Sequence, residues 1–404
     1  MPTPEYHAKL APSAAARWIH CPASVALTVD KPDEVSAYAE AGRLAHSIAE
    51  LKARKYLGLV TPRTYQTQLK ALRESPHYEK VMDDYTDCYV EVIAEQAMSF
   101  EHAPFTALET QVPIGIITGE KKDDGSWATG TADCIQIGCG FLWVTDYKNG
   151  SGVKVSAEKN PQMMLYALGA LYLYRPLFGN SINTVRMTIV QPALNNVTMW
   201  EIPRKDLEDW AMHTVLPAAM KALAGLKNPA EAGDPVPGPW CRSYFCPLRH
   251  TCRALAYEKL AIEAFQNTPP AELTPEEIAD ILRRGDALVS WYNDLKDYAL
   301  SEILAGREIP GWKAVEGRGS RAWGDVDAAF AALVERGIDE ALLWERKPVT
   351  APALEKALGK KAFAEVAADL VVQQPGKPTL APESDKRPPY NPAAAAFGKP
   401  VQEQ

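Results

Sequence analysis

At 404 residues, 47% apolar and 23% charged, the chain has the composition of a globular protein with one large domain and an appendage. A net charge of −8 excludes a protein coated in nucleic-acid-binding charge, but not a DNA enzyme that confines its basic residues to one channel. No apolar run approaches the ~20 residues of a membrane span and the first residues lack a signal-peptide pattern, so a cytoplasmic location is expected. The 7 cysteines, odd in number and irregularly spaced, suit metal ligation or burial better than a disulfide framework.

In chain order, residues 14–18 read as a short helix leading into His20-Cys21-Pro22. Residues 33–57 are helical throughout, with Gly42, His46 and Glu50 on one stripe, where Gly42 would admit another backbone. A second amphipathic helix spans 78–100, with Cys88 in the core. The alternating run 105–117 starts a sheet, with Glu109 as its one inward-capable acid. Strands at 127–137 and 141–145 carry Asp133 and Asp146, with 138–140 as the hairpin between them and Cys134 and Cys139 assigned to packing. Asn160-Pro161 opens a helix to about 178. Strands at 182–191 and 197–202 and a helix at 205–225 complete an α/β core with a mixed sheet.

A Pro- and Gly-rich connector, 228–240, delivers Cys241, Cys246 and Cys252 within twelve residues. Three cysteines so close are a metal signal. A tetrahedral site or cluster takes four ligands, the fourth being Cys21, or His250 or His20, in which case zinc is favoured. The capping box at Thr274 starts a long helix to about 306, and helices at 325–336 and 351–358 follow. The division expected is a core at 1–267, an α+β accessory region at 268–372 and a Pro-rich, disordered tail at 373–404.

The chemistry gathers between Gly130 and Tyr166. Asp146 and Lys148 share a strand face because side chains repeat every two residues, and Gln162 and Tyr166 share a helix face because they are four apart. Singly, a helical histidine or a DxK at a strand end is ordinarily structural or solvated; their conjunction in one order carries the signal. Two carboxylates suit Mg²⁺ or Mn²⁺, and an imidazole from His46 tilts the preference toward Mn²⁺.

The series Gly42-x3-His46-x3-Glu50, Gly130-x2-Asp133, Asp146-x-Lys148 and Gln162-x3-Tyr166 resembles the RecB-type nucleases of the PD-(D/E)XK superfamily. The cysteines resemble the iron–sulfur staple of its AddB-like and CRISPR-associated exonuclease members, although that staple usually opens C-x2-C and Cys241 and Cys246 have four residues between them. The text around DYKNGSG is similar to an uncharacterised group of bacteriophage RecB-like proteins. The resemblance implies a PD-(D/E)XK core and a DNA exonuclease, phage-encoded and acting in end resection and recombination in the host cytoplasm. It implies catalytic metals on His46, Asp133, Asp146 and the Tyr147 carbonyl, water activation by Lys148, and DNA contacts by Gln162 and Tyr166. It also implies a 4Fe-4S cluster on Cys21, Cys241, Cys246 and Cys252, with structural Zn²⁺ as the alternative. DNA is the expected partner, with a single-strand annealing or single-strand-binding protein beside it; no membrane is involved, and homo-oligomerisation stays open. No Walker A motif accompanies these signals. The alternative reading is a non-catalytic DNA-binding or assembly factor on the same scaffold.

Overall fold

A computed structural model describes residues 8–31, 37–260, 273–315 and 326–335, together with Leu343, Glu355, Gly359 and Phe363. The expected boundary at 267, most of the helix at 351–358 and the tail at 373–404 lie outside the described residues. The chain divides into two compact units, Met1–Ala314 and Val315–Gln404; in the second, the described element is one helix, Val326–Glu335.

The first unit is mixed α/β. Five strands, β1 (Phe105–Val112), β2 (Gly130–Gly138), β3 (Phe141–Tyr147), β4 (Thr184–Gln191) and β5 (Asn196–Pro203), lie side by side in sequence order. All neighbours are antiparallel except β3 and β4. A parallel pair needs a crossover, and its main helix is Pro161–Leu173. The helices in chain order are α1 (Ala15–His20), α2 (Ala23–Thr28), α3 (Ala37–Tyr56), α4 (Pro62–Arg73), α5 (Val81–Met98), α6 (Gly115–Thr118), α7 (Pro161–Leu173), α8 (Arg175–Phe178), α9 (Arg204–Trp210), α10 (Leu216–Lys227), α11 (Trp240–Ser243), α12 (Arg253–Leu260) and α13 (Pro275–Leu304). Among the described residues no helix is long and apolar enough to cross a membrane.

Strand alternation gives each sheet face its own core. Ile135, Ile137, Leu142 and Val144 join α7, α10 and the N-terminal helices; Cys134, Tyr147 and Val190 join α3, α4 and α5. Helix α7 is buried from Met163 to Leu171, as a crossover helix apolar on every side must be. Its start is fixed by Asn160, whose side chain accepts from the N–H groups of Gln162 and Met163, and by Pro161. Gly169 allows it to lie against β1, since a Cβ there would stand 2.9 Å from the Val112 Cβ.

The structure departs from the sequence expectations at several places, among them the end of the first strand, Cys139 and the stretch before the second long helix. The strand expected to reach 117 ends at Val112, and the following residues form α6. Gly115 dictates this turn, because its N–H donates to the Ala128 carbonyl at 2.8 Å in a position with no room for a side chain. Cys139 is exposed, not packed: it and Gly140 make the hairpin turn with φ 48 and 83, the doubly left-handed geometry of a tight β-hairpin. Helix α4, capped by Thr61, falls in a stretch to which no element was assigned.

A Cβ at Gly115 would sit 2.1 Å from the Glu120 carbonyl oxygen and 2.5 Å from the Ala128 nitrogen, both backbone atoms that cannot swing aside. Gly115→Ala is expected to destabilise the first unit by about 1–3 kcal/mol or more, read as a lower urea midpoint with an unchanged slope.

Candidate metal centre

The site is set by sheet register. Pairing of Leu108 with Cys134 and Thr110 with Ala132 places Glu109 across from Asp133. Pairing of Cys134 with Thr145 places Asp133 across from Asp146. Three carboxylates thus form one row over three adjacent strands, spaced by the ~4.8 Å between strands. Asp133 and Asp146 are 9% and 2% exposed, deep enough that carboxylates require compensating partners. Glu109 has a left-handed φ of 46, a conformation that costs a non-glycine residue roughly 1–3 kcal/mol.

Two cations flank the row. His46, on α3, brings its Nδ1 to 3.4 Å from Asp133 Oδ2 and sets its ring edge-on to Tyr147, centroids 5.3 Å apart. Lys148 Nζ lies 3.0 Å from Asp146 Oδ2 and donates to Gln162 Oε1 at 3.1 Å. Gln162 in turn donates from Nε2 to Asp146 Oδ1 at 3.3 Å and to the Tyr166 hydroxyl at 3.2 Å. The Tyr147 N–H donates to Asp133 Oδ2 at 2.7 Å, so the backbone of β3 braces the neighbouring carboxylate. Gly130 leaves space for the Tyr166 ring: a Cβ there would be 2.9 Å from its Cε1. Gly42 makes no close backbone approach, since a Cβ there meets nothing within 4 Å, and Glu50 pairs with Arg54 at 2.8 Å.

Burial and mutual charge shift the pKa of every group in the row. Burial raises the Asp146 carboxyl, partly offset by Lys148. Burial also opposes ionisation of Asp133, but His46 and the Tyr147 N–H outweigh it and hold the carboxyl below its ordinary range. Burial works against the His46 imidazolium, yet Asp133 raises its pKa to about 9. Burial, then the charge of Asp133, lifts Glu109 to about 8. Once Glu109 and His46 give up the protons they hold at pH 7, three carboxylates against Lys148 leave a charge of two, which one divalent cation supplies. The donor set fits such an ion. Ligand atoms of His46, Glu109 and Asp133 lie within 4.8 Å of one another, and the buried Asp146 Oδ2 has the Lys148 ammonium beside it at 3.0 Å.

Cys21, Cys241, Cys246 and Cys252 line a single cavity with Arg17, Ser24 and Trp240. Burial pushes the thiols of Cys241 and Cys246 up. The Val236 N–H donates to Cys21 Sγ at 3.3 Å. His20 and His250 are placed in ring stacks, on Trp240 at 4.3 Å and on Tyr298 at 5.2 Å. Helix α13 holds the cysteine loop through Arg242 to Asp294 at 3.2 Å, Arg242 to Ser290 and Trp291 Nε1 to the Arg249 carbonyl at 3.2 Å.

The structure brings His46, Asp133, Asp146, Lys148, Gln162 and Tyr166 together, and gathers the four cysteines elsewhere. Glu109 was not among the expected ligands; its signal was an acid at an inward position of an otherwise neutral strand. Arg17 and Ser24 carried no signal at all. The model of a family described as Protein of unknown function (DUF2800) matches residues 7–388.

Cation binding requires an ionised Glu109 and a neutral His46, whereas at pH 7 pKa values of about 8 and about 9 leave both mostly protonated. The sign is therefore fixed: Mn²⁺ displaces protons, and its affinity rises with pH until about 9, by roughly tenfold per unit for each proton released. Calorimetry in two buffers of different ionisation heat at pH 7 and pH 9 measures this; a pH-independent affinity contradicts it.

Proposed function

We propose that this chain, which belongs to the DUF2800 family, is a metal-dependent deoxyribonuclease of the RecB type within the PD-(D/E)XK superfamily, hydrolysing phosphodiester bonds from DNA ends. The observation that carries the reading is the row Glu109, Asp133, Asp146 with Lys148 and His46 at its flanks. A divalent cation, Mg²⁺ or Mn²⁺, would polarise the phosphoryl oxygens and offset the charge that builds there. His46, Glu109, Asp133, Asp146 and the Tyr147 carbonyl would hold it.

The remaining residues act on the substrate through position and charge. Burial works against the Lys148 ammonium, but Asp146 and Asp133 outweigh it and raise its pKa. It therefore keeps its proton and serves as a donor to the phosphate oxygens, where negative charge develops. Gln162 bridges Asp146, Lys148 and Tyr166 and keeps the carboxylate and ammonium in register with each other. Tyr166, 7% exposed, supports Gln162 from within the core. His46 and Lys148 retain 34% and 27% of their side-chain exposure, enough for a DNA strand to reach them.

For the cysteines we propose a 4Fe-4S cluster joining α1–α2 to the loop around α11, with zinc as the alternative occupant. Four thiols on one cavity and an N–H aimed at sulfur fit thiolate ligation of such a cluster.

Lys148→Ala is expected to lower Mn²⁺-dependent degradation of linear DNA by on the order of 10²–10³-fold or more with circular dichroism unchanged; full activity in that variant would sink the assignment. The assay uses 5′- and 3′-labelled linear and circular DNA with and without Mn²⁺. Salt-sensitive DNA binding with no cutting under any metal would favour the binding factor instead.

Cys21→Ser is expected to strip the bound metal and lower the thermal midpoint, because ligation is coupled to folding. Metal analysis and calorimetry check both; full metal content in that variant would point to His20 or His250 as the ligand.

A further inference from the structure

Two polar groups in the cysteine cavity are left over once four thiols have been assigned to a metal group. Ser24, on α2, is 3% exposed and lines the cavity, and its hydroxyl has no hydrogen-bond partner among the described residues. Arg17, on α1, lines the same cavity, with its Nε buried and likewise without a partner. A buried donor left unmade costs ~1–3 kcal/mol. Two of them on consecutive short helices, facing one space, indicate an acceptor that belongs there.

The lining narrows the kind of acceptor. Leu27, Pro235, Pro237 and Leu248 offer no side-chain oxygen or nitrogen, and Arg249 directs one N–H to the Cys246 carbonyl. Among the side chains that line the cavity, the acceptor that remains is sulfur. Arginine only donates and is always charged, while a serine hydroxyl donates as its rotor allows. One contact of this type already exists in the backbone, from Val236 to Cys21 Sγ at 3.3 Å.

We infer that Arg17 and Ser24 are outer donors to the sulfur atoms of the group held by Cys21, Cys241, Cys246 and Cys252, and that they set its reduction potential. The inference rests on the cluster reading above. Uptake of one electron from a low-potential donor such as dithionite breaks no bond and adds one negative charge to the cluster. A guanidinium and a hydroxyl aimed at its sulfurs favour that reduced form, since hydrogen bonds and nearby charge are among the determinants of iron–sulfur potentials. Neither residue is a ligand, so each should be removable without losing the cluster.

The test uses the full chain, purified anaerobically, as wild type, Arg17→Gln, Arg17→Lys and Ser24→Ala. Iron and sulfide per chain are measured first, then the midpoint potential by mediated titration followed by electron paramagnetic resonance. Expected is near wild-type iron with the reduction equilibrium of Arg17→Gln shifted about tenfold toward the oxidised form, 59 mV lower for a one-electron couple. Ser24→Ala should shift less in the same direction, and Arg17→Lys should restore part of the loss. If Arg17→Gln fails to retain iron, Ser24→Ala decides. Iron retained with unmoved potentials overturns this inference and leaves the cluster standing. Iron lost from both variants with the fold intact also overturns it, because the residues would then be needed for retention. Wild type carrying one zinc and no iron overturns the cluster reading and this inference together.

Discussion

The register between β1, β2 and β3 is the constraint on which the site depends. Because side chains alternate along a strand, a slip of one residue would turn Asp133 toward the Cys134 face and bring Ala132 or Cys134 into the row. Apolar packing on both sides of the sheet resists such a slip: Ile135 and Ile137 belong to the core under α7, and Cys134 to the core under α3 and α5. The hydrophobic pattern that folds the sheet therefore also aligns the carboxylates. The strain at Glu109 falls in the same row, at a residue whose ionisation burial and then the charge of Asp133 suppress.

Much of this arrangement was legible because strand and helix periodicities are local. Asp146 with Lys148, and Gln162 with Tyr166, share faces by spacing alone, and the structure joins the two pairs through Gln162. His46 was legible only by its order relative to the later motifs, since its partner Asp133 lies far along the chain. Glu109 was seen as an inward acid but not as part of the site, because nothing local reveals a positive φ at a non-glycine residue. Gly42 misled in the opposite direction: a glycine in a helix suggests close approach, yet open space surrounds it. Helix α4 was missed because polar residues dominate it and its buried side is limited to Tyr65 and Leu69.

The cysteine cavity shows a different limit. Three closely spaced cysteines announce themselves, and Cys21 could be paired with them only as one of several candidates. Its placement follows from packing of α1 and α2 against α10, an event that no spacing rule describes. The role of α13 is less visible still. Its capping box and length are plain in sequence, but its grip on the cysteine loop runs through Asp294, Ser290 and Trp291, none of which stands out from an ordinary helix surface.

The contact between Val236 and Cys21 spans 215 positions of the chain, and it encloses every strand of the sheet. Any group bonded at once to Cys21 and Cys241 would close a ring around the carboxylate row. By the chain-entropy treatment of cross-links, a loop of that length restricts the unfolded ensemble by about 5 kcal/mol. Such a closure would act on the sheet without touching it: it would tax the open chain while leaving each ladder hydrogen bond as it is. Cuts in surface loops of the enclosed segment would then separate the backbone without releasing the fragments from each other.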